Sequence, residues 1–341
     1  MKTIVLWNKF RDVVGASNDH PIATLFSRCS VPHCRAIFDR SKLSTSSAVL
    51  FHMAEFRLND LPLSRDPSQH FVFTHFESVG NRYLVPSHRH WPQLDALSGG
   101  FFNLTMTYRT DSDVYFDAYA MYYRPHLISN WTALMAQKEN GVLWLVSHCR
   151  TQSHREDYVG KLSKYLKVDK FGKCSGKGVK NPCVYGQCSD QFRRSYKFQL
   201  AFENSVCRDY TTEKLYRTLN DDVVPVVLGG GNYSALLPPN SYINIEDFRS
   251  VKHLADHLIF LMNNEEEYKK YFTWKLEGRN MWQLPDVPDF DHSGWCQLCR
   301  RIHEDQPPKT IRDVSDWWFR DQCRKIVVAE QIFEQKHPKL R

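Results

Sequence analysis

"YKFQLAFENSVCRDYTTEKLYRTL" runs from Tyr196 to Leu219. It opens as an unbroken apolar and aromatic run, breaks into a polar turn, and resumes with apolar residues at helical spacing. A run of that length bounded by turn residues predicts a buried strand, and the segment after it predicts a helix with Thr211 as N-cap. Strand, polar turn and helix together form half of a βα unit. The turn concentrates Glu203, Asn204, Arg208, Asp209, Tyr210, Glu213 and Lys214. Free N–H groups at a helix start bind phosphate, a lysine in the first turn adds full positive charge, and Glu213 can accept two hydrogen bonds from a ribose diol. The same residues also describe a capped helix with a solvated Glu213 and Lys214 and nothing more.

The pattern repeats outward from there. Val142–Val146 is followed by "SHREDYVGKLSKYL", Val223–Leu228 by a glycine-rich loop, and Tyr242–Ile245 by "SVKHLADHLIFLMNN". Apolar strands alternating with helices predict a parallel sheet covered by helices, whose ligands sit beyond the carboxyl ends of the strands. The first half carries strand-like runs at Thr3–Trp7, Ala48–His52 and His70–Phe76. A helical pattern at "SNWTALMAQKENG", with Asn140-Gly141 as a turn signal, puts a boundary near residue 135. The expected organisation is therefore a first domain over 1–135, a second α/β domain over 136–290, and a cysteine-containing extension over 291–341 packed on both.

At 341 residues the chain has room for two cores. The aromatic share of 13%, with nine Trp, suits flat polar or sugar-like ligands as well as ordinary packing. Lys and Arg number 45 against 38 Asp and Glu, a net charge of +7 that favours an anionic ligand; the basic residues form no tail for nucleic acid. Ten cysteines, with sequons at Asn103, Asn130 and Asn232, favour a disulfide-permissive secretory compartment. No apolar stretch approaches the ~18 residues of a membrane span, and "MKTIVLWNKFRD" reads as a first strand, so any anchor lies outside this chain.

Other residues are candidates for chemistry. Ser147, His148, Arg150, Ser153, His154 and Arg155 follow a strand, and Arg155 could fork onto a diphosphate. Glu77 ends a strand of the first half, where a carboxylate can serve as general base. Gly229–Gly231 lack the spacing of a dinucleotide site and predict close backbone approach to a ligand. Cys296 and Cys299 with Cys323, His292 and His303 would suit zinc, although disulfides of unassigned pairing are the more natural use in an oxidising compartment. No cysteine stands in an activating context.

"FESVGN", "FNLTMTYRTDSDV", "WLVSHC…HREDYV", "YKFQLAFENSVCRDYTTEKLY" and "VVPVVLGGGNYSALLPPNSYINIEDF", in this order, resemble the α1,3-fucosyltransferase family over nearly the whole chain. That resemblance implies an α/β GT-B fold, two Rossmann-like domains facing a cleft, and inverting transfer of fucose from GDP-fucose to the 3-hydroxyl of a GlcNAc on a glycoprotein glycan. It implies Glu77 as base, Arg155 and Lys214 at the diphosphate, Tyr210 and Glu213 at the phosphate and ribose, Asn204 in the same pocket, and Val146 and Ser147 on the nucleotide. It further implies no essential metal, with Mn or Mg at most stimulatory and Asp111-x-Asp113 used without one, and a type II Golgi enzyme working in the lumen. Cys149, Cys207, "GGGNYS" and the tail "CQLC…DWWFRDQC" resemble invertebrate members. The acceptor then stands open between the innermost GlcNAc of an N-glycan and a LacNAc or LacdiNAc antenna. A catalytically inactive nucleotide-sugar or glycan-binding protein of the same fold is the alternative.

Overall fold

A computed structural model describes residues 1–8, 25–27, 29–81, 94, 97, 99–124, 126–176, 188–278, 294–304 and 309–325. The chain forms two compact units, Met1–Met121 with Asp286–Gln322, and Tyr122–Pro285 with Cys323–Arg341. The boundary expected near 135 thus lies at 121/122. The cause is local: the Asn220 side chain binds the carbonyl of Tyr122 and the N–H of Arg124, and Trp131 packs on the second unit's core. The expected separate extension is likewise divided between the units.

In the first unit, β1 (Lys2–Leu6), β2 (Cys34–Ile37), β3 (Ala48–His52), β4 (His70–His75), β5 (Leu104–Thr107) and β6 (Val114–Tyr115) form one parallel sheet in the order β2-β1-β3-β4-β5-β6. Strands β3 and β4 are buried at every position, which is why they read as continuous apolar and aromatic runs. Among the described residues, the connections of residues 1–124 hold only 3-10 turns, and the described helices on the sheet come from the far end of the chain. Trp295 and Leu298 join the core of Ile4, Leu50 and Val72, whereas Trp318 packs on Phe73 at 5.3 Å. Val72 and Phe73 are neighbours in a strand and face opposite sides, so the two C-terminal helices cover opposite faces. Disulfides Cys29–Cys296 and Cys34–Cys299 staple the first of them, Trp295–His303, to the unit.

The second unit begins with α1 (Trp131–Met135), β7 (Glu139–Leu145), α2 (Arg155–Leu162), β8 (Val168–Phe171) and α3 (Asp190–Arg194). It continues through β9 (Tyr196–Phe202), α4 (Glu213–Asn220), β10 (Val224–Leu228), α5 (Tyr233–Leu236) and β11 (Ile243–Asn244), then α6 (Val251–Asn263), α7 (Glu265–Lys269) and α8 (Thr273–Leu276). Its sheet is parallel in the order β11-β10-β9-β7-β8. Apolar residues at helical spacing, Val251, Leu254, Leu258 and Leu261, bury one face of α6 against Phe198, Leu200 and Phe202. The Asn140-Gly141 pair is no turn: it lies inside β7, where the register with β9 shifts between Glu139 and Val142. The pair marks a β-bulge. The C-terminal helices of the first unit are α9 (Trp295–His303) and α10 (Val314–Phe319).

Disulfides also join Cys149 to Cys174 and Cys207 to Cys323, and Cys188 is disulfide-bonded. They remove the zinc alternative. Cys34, Cys299 and His303 come within 4.8 Å of one another, but the sulfurs are oxidised and offer no thiolate. His292 lies outside the described residues. No helix among the described residues is long and apolar enough to cross a membrane.

Asn103, a sequon residue, is 4% exposed. Its Nδ2 donates to the Lys309 carbonyl at 2.7 Å and its Oδ1 accepts from Phe71 N at 2.9 Å, so the folded unit leaves no room for a glycan there. Asn130 and Asn232 are exposed N-caps of α1 and α5. Glycopeptide mapping of protein secreted from eukaryotic cells is expected to find Asn103 unmodified. Asn103→Ala should lower stability by about 1–3 kcal/mol in thermal or chemical unfolding, because both partners lose a buried hydrogen bond.

Candidate functional site

Strand β9 stays buried through Phe202, and the next residue, Glu203, is 1% exposed. Its N–H completes the ladder to the Leu228 carbonyl at 2.8 Å, while its side chain turns toward the start of α4. Oε1 accepts from Thr212 N at 2.9 Å and from Thr212 Oγ1 at 2.8 Å; Oε2 accepts from Lys214 Nζ at 3.0 Å. Lys214 Nζ also donates to Thr212 Oγ1 at 2.7 Å and lies 3.5 Å from Glu213. The N-cap of α4 is therefore Thr212, one residue later than expected, and its hydroxyl makes no cap bond because Glu203 engages it.

Burial pushes the Glu203 carboxyl above the usual glutamate range, against the opposing pull of Lys214. Burial also disfavours charge on Lys214, but the carboxylates of Glu203 and then Glu213 outweigh it and hold the ammonium above the usual lysine range. Burial pushes the Glu213 carboxyl up, but Lys214, the Glu213 backbone N–H, Arg217 and Thr212 together outweigh it and hold the carboxyl below the usual glutamate range.

The loop after β7 is stitched to the same turn. Ser153 Oγ donates to the Glu203 carbonyl at 2.7 Å, Ser153 N to the Asn204 carbonyl at 3.0 Å, and Val206 N to Gln152 Oε1 at 2.9 Å. Arg155, the first residue of α2, is 2% exposed. Its guanidinium donates to the carbonyls of Phe202 and His148, tying the exits of β9 and β7 together from beneath. Burial lowers its pKa and Glu203 opposes that shift. At the end of β7, Val146 is buried with its N–H on the Phe171 carbonyl, and Ser147 is exposed.

The three glycines after β10 stand where any side chain would meet protein atoms. A Cβ on Gly230 would lie 2.0 Å from the Cys207 carbonyl oxygen, one on Gly231 2.3 Å from Thr211 Oγ1, and one on Gly229 2.5 Å from the Tyr233 hydroxyl. Asp209 N donates to the Gly230 carbonyl at 2.8 Å across that close contact.

Arg155, Asn204, Tyr210, Glu213 and Lys214 thus gather around one turn, as the sequence predicts. Sequence reasoning missed the site roles of Glu203, Thr212 and Ser153. The available signal was a glutamate placed directly after a buried strand, a position that demands partners. Four buried polar atoms here have no hydrogen-bond partner among the described residues: Arg155 Nε, Asn204 Oδ1, Thr211 Oγ1 and the Tyr233 hydroxyl. Buried polar groups are normally satisfied, so their concentration here leaves unused hydrogen-bonding capacity inside the turn.

In the first unit, Glu77 lies two residues past β4, half-buried, with its Oε1 accepting from the Tyr119 hydroxyl at 3.0 Å. The Asp111 carboxylate binds Arg109 through both oxygens, and Asp113 binds Thr105 and Lys309. Both aspartates are engaged as structural anions.

Two parallel α/β units with a polar turn at the carboxyl ends of the second sheet are the parts from which a GT-B glycosyltransferase is built. Residues 1–119 match the pattern described as "Fucosyltransferase, N-terminal", and residues 135–317 match "Glycosyltransferase family 10 (fucosyltransferase) C-term". The chain belongs to glycosyltransferase family 10, the fucosyltransferases. It is 32% identical over 361 residues to Alpha-(1,3)-fucosyltransferase C of Drosophila melanogaster, covering 95% of this chain and 79% of that protein. It is 32% identical over 364 residues to Alpha-(1,3)-fucosyltransferase 4 of Rattus norvegicus, with 94% and 79% covered. A crystal structure of an alpha1,3-fucosyltransferase with GDP-fucose shares the fold at TM-score 0.53 and 13% identity, over 91% of this chain and 93% of that one.

Lys214→Met leaves Glu203 buried without its cation and should cost about 3–5 kcal/mol at neutral pH. The loss depends on pH. Without Lys214 to oppose burial, the Glu203 carboxyl of the variant is pushed further above its unfolded value than in the wild type, so the stability conferred by its protonated form is lost as pH rises through that range while the wild type keeps its ion pair. The gap in melting temperature between wild type and variant should therefore widen from about pH 5 to about pH 8; a constant or narrowing gap contradicts the pairing.

Proposed function

We propose that the chain is an inverting α1,3-fucosyltransferase that moves fucose from GDP-fucose to the 3-hydroxyl of a GlcNAc in a glycoprotein glycan. The observation that carries the donor half is the gathering of Arg155, Asn204, Tyr210, Glu213 and Lys214 on one turn beyond β7 and β9. Helix α4 opens there, and its dipole and free N–H groups favour a diphosphate beside Lys214. Glu213 can accept from a ribose diol, and Val146 and Ser147 border the nucleotide. Arg155 is buried and bound to backbone carbonyls. Its role is to fix the turn and lend positive potential from beneath.

In the reaction the acceptor oxygen attacks the anomeric carbon of fucose while its proton passes to the Glu77 carboxylate. The bond from that carbon to the diphosphate breaks, and GDP departs with the electron pair. Lys214 and the start of α4 stabilise the departing charge, which is where fixed electrostatics contribute most. The four disulfides among the described residues, with the disulfide-bonded Cys188, support folding in an oxidising compartment, in keeping with the Golgi lumen.

Glu77→Gln should reduce transfer by about 10²-fold or more while GDP binding stays within twofold of wild type. Full transfer by that variant would refute the base assignment. Assays of GDP-fucose with a trimmed N-glycan core, LacNAc and LacdiNAc identify the acceptor by which of them gains fucose; transfer to none of the three, with GDP-fucose bound, would refute the proposed acceptor class.

A further inference from the structure

We propose that Tyr119 is the positioning residue for Glu77, setting the plane of the carboxylate that takes the acceptor proton; this rests on the transfer reading above. The Tyr119 hydroxyl donates to Glu77 Oε1 at 3.0 Å. The terminal torsion of a glutamate is broad and roughly two-fold, so an isolated carboxylate at a strand end samples many planes. A phenol held in a fixed place on one oxygen selects among them.

Tyr119 is held in such a place. It sits in a tight turn in which Ala120 N donates to both the carbonyl and the Oδ1 of Asp117, each at 3.1 Å, and Ala118 N donates to the Phe116 carbonyl at 3.0 Å. Asp117, Ala118 and Ala120 are buried, and the Tyr119 ring packs on the unit's core. The backbone on the other side of the hydrogen bond is fixed by the same ridge. Phe76, the residue before Glu77, meets Phe116 edge-on with ring centroids 4.6 Å apart. Trp295 of α9 backs Phe116 at 6.2 Å, and a Cβ on Gly294 would come within 2.9 Å of the Tyr115 carbonyl oxygen. The disulfides Cys29–Cys296 and Cys34–Cys299 hold α9 in that position. Glu77 and Tyr119 therefore project from one packed and covalently stapled ridge, where the hydroxyl meets the carboxylate.

The test is a double-mutant cycle read in steady-state kinetics. Tyr119→Phe removes one oxygen and keeps the packed ring. It should lower kcat by about tenfold or more, the scale of a hydrogen bond to a charged group, with the KM for GDP-fucose within about twofold and unchanged GDP binding. Glu77→Asp draws the carboxylate back by one methylene, out of reach of the phenol, so adding Tyr119→Phe to it should cost less than about twofold. The inference is overturned if Tyr119→Phe keeps wild-type kcat, if its loss is the same in both backgrounds, or if the loss lies in KM for the donor. Failure of the underlying reading looks different: Glu77→Gln would then transfer fucose normally, whereas failure of this inference alone leaves Glu77→Gln inactive and Tyr119→Phe fully active.

Discussion

The polar turn of the second unit is organised around one buried carboxylate, that of Glu203. Moving an ionised glutamate to 1% exposure is unfavourable by several kcal/mol unless every lone pair finds a donor. Glu203 finds them in Thr212 N, Thr212 Oγ1 and Lys214 Nζ, and in doing so fixes where α4 begins and where its lysine points. The same residue's backbone belongs to the β9–β10 ladder and accepts Ser153 of the β7 exit loop. One residue thus joins two strand ends and two helix starts. The glycines at 229–231 lack the Cβ atoms that would collide with this turn, and the Cys207–Cys323 bond fixes it covalently.

The first unit solves its packing differently. The described connections between its strands carry 3-10 turns, and α9 and α10, nearly two hundred residues later in the chain, supply helical cover on opposite faces of the sheet. The cysteine-rich tail is therefore part of the core. Its aromatics reach Phe116 and, through it, the strand end that carries Glu77. That continuity links the disulfides to the geometry of a carboxylate far away in sequence.

Much of this was legible because it is local. The runs at Ala48–His52 and Tyr196–Phe202 became β3 and β9 at the same bounds, since strands buried on both faces leave a continuous apolar signature. The polar turn at 203–214 was legible as a ligand-capable cluster because its residues are close in sequence. What escaped was set by distant partners. Asn140-Gly141 carries a turn signature, yet pairing with β9 makes it a bulge. Thr211 is a good N-cap by type, but Glu203 selects Thr212. The glycines suggested a ligand, and they also permit a close contact with Cys207 and Thr211. Asn103 reads as a glycosylation sequon until Lys309, 206 residues on, occupies its amide. The short strands β2, with two exposed or half-exposed positions, and β8, with no buried residue, carry too little apolar signal to stand out.

The central claim is that Glu203 builds the anion-binding turn by holding Lys214 and the start of α4. Titration calorimetry of GDP against the folded Glu203→Gln protein tests it most directly. Gln keeps the shape and an acceptor for Thr212 N but cannot pair with Lys214 as an anion. The account predicts at least about a tenfold loss of GDP affinity, the scale expected when a charge-assisted bond that orients a ligand group is removed. Affinity equal to or tighter than wild type would contradict it.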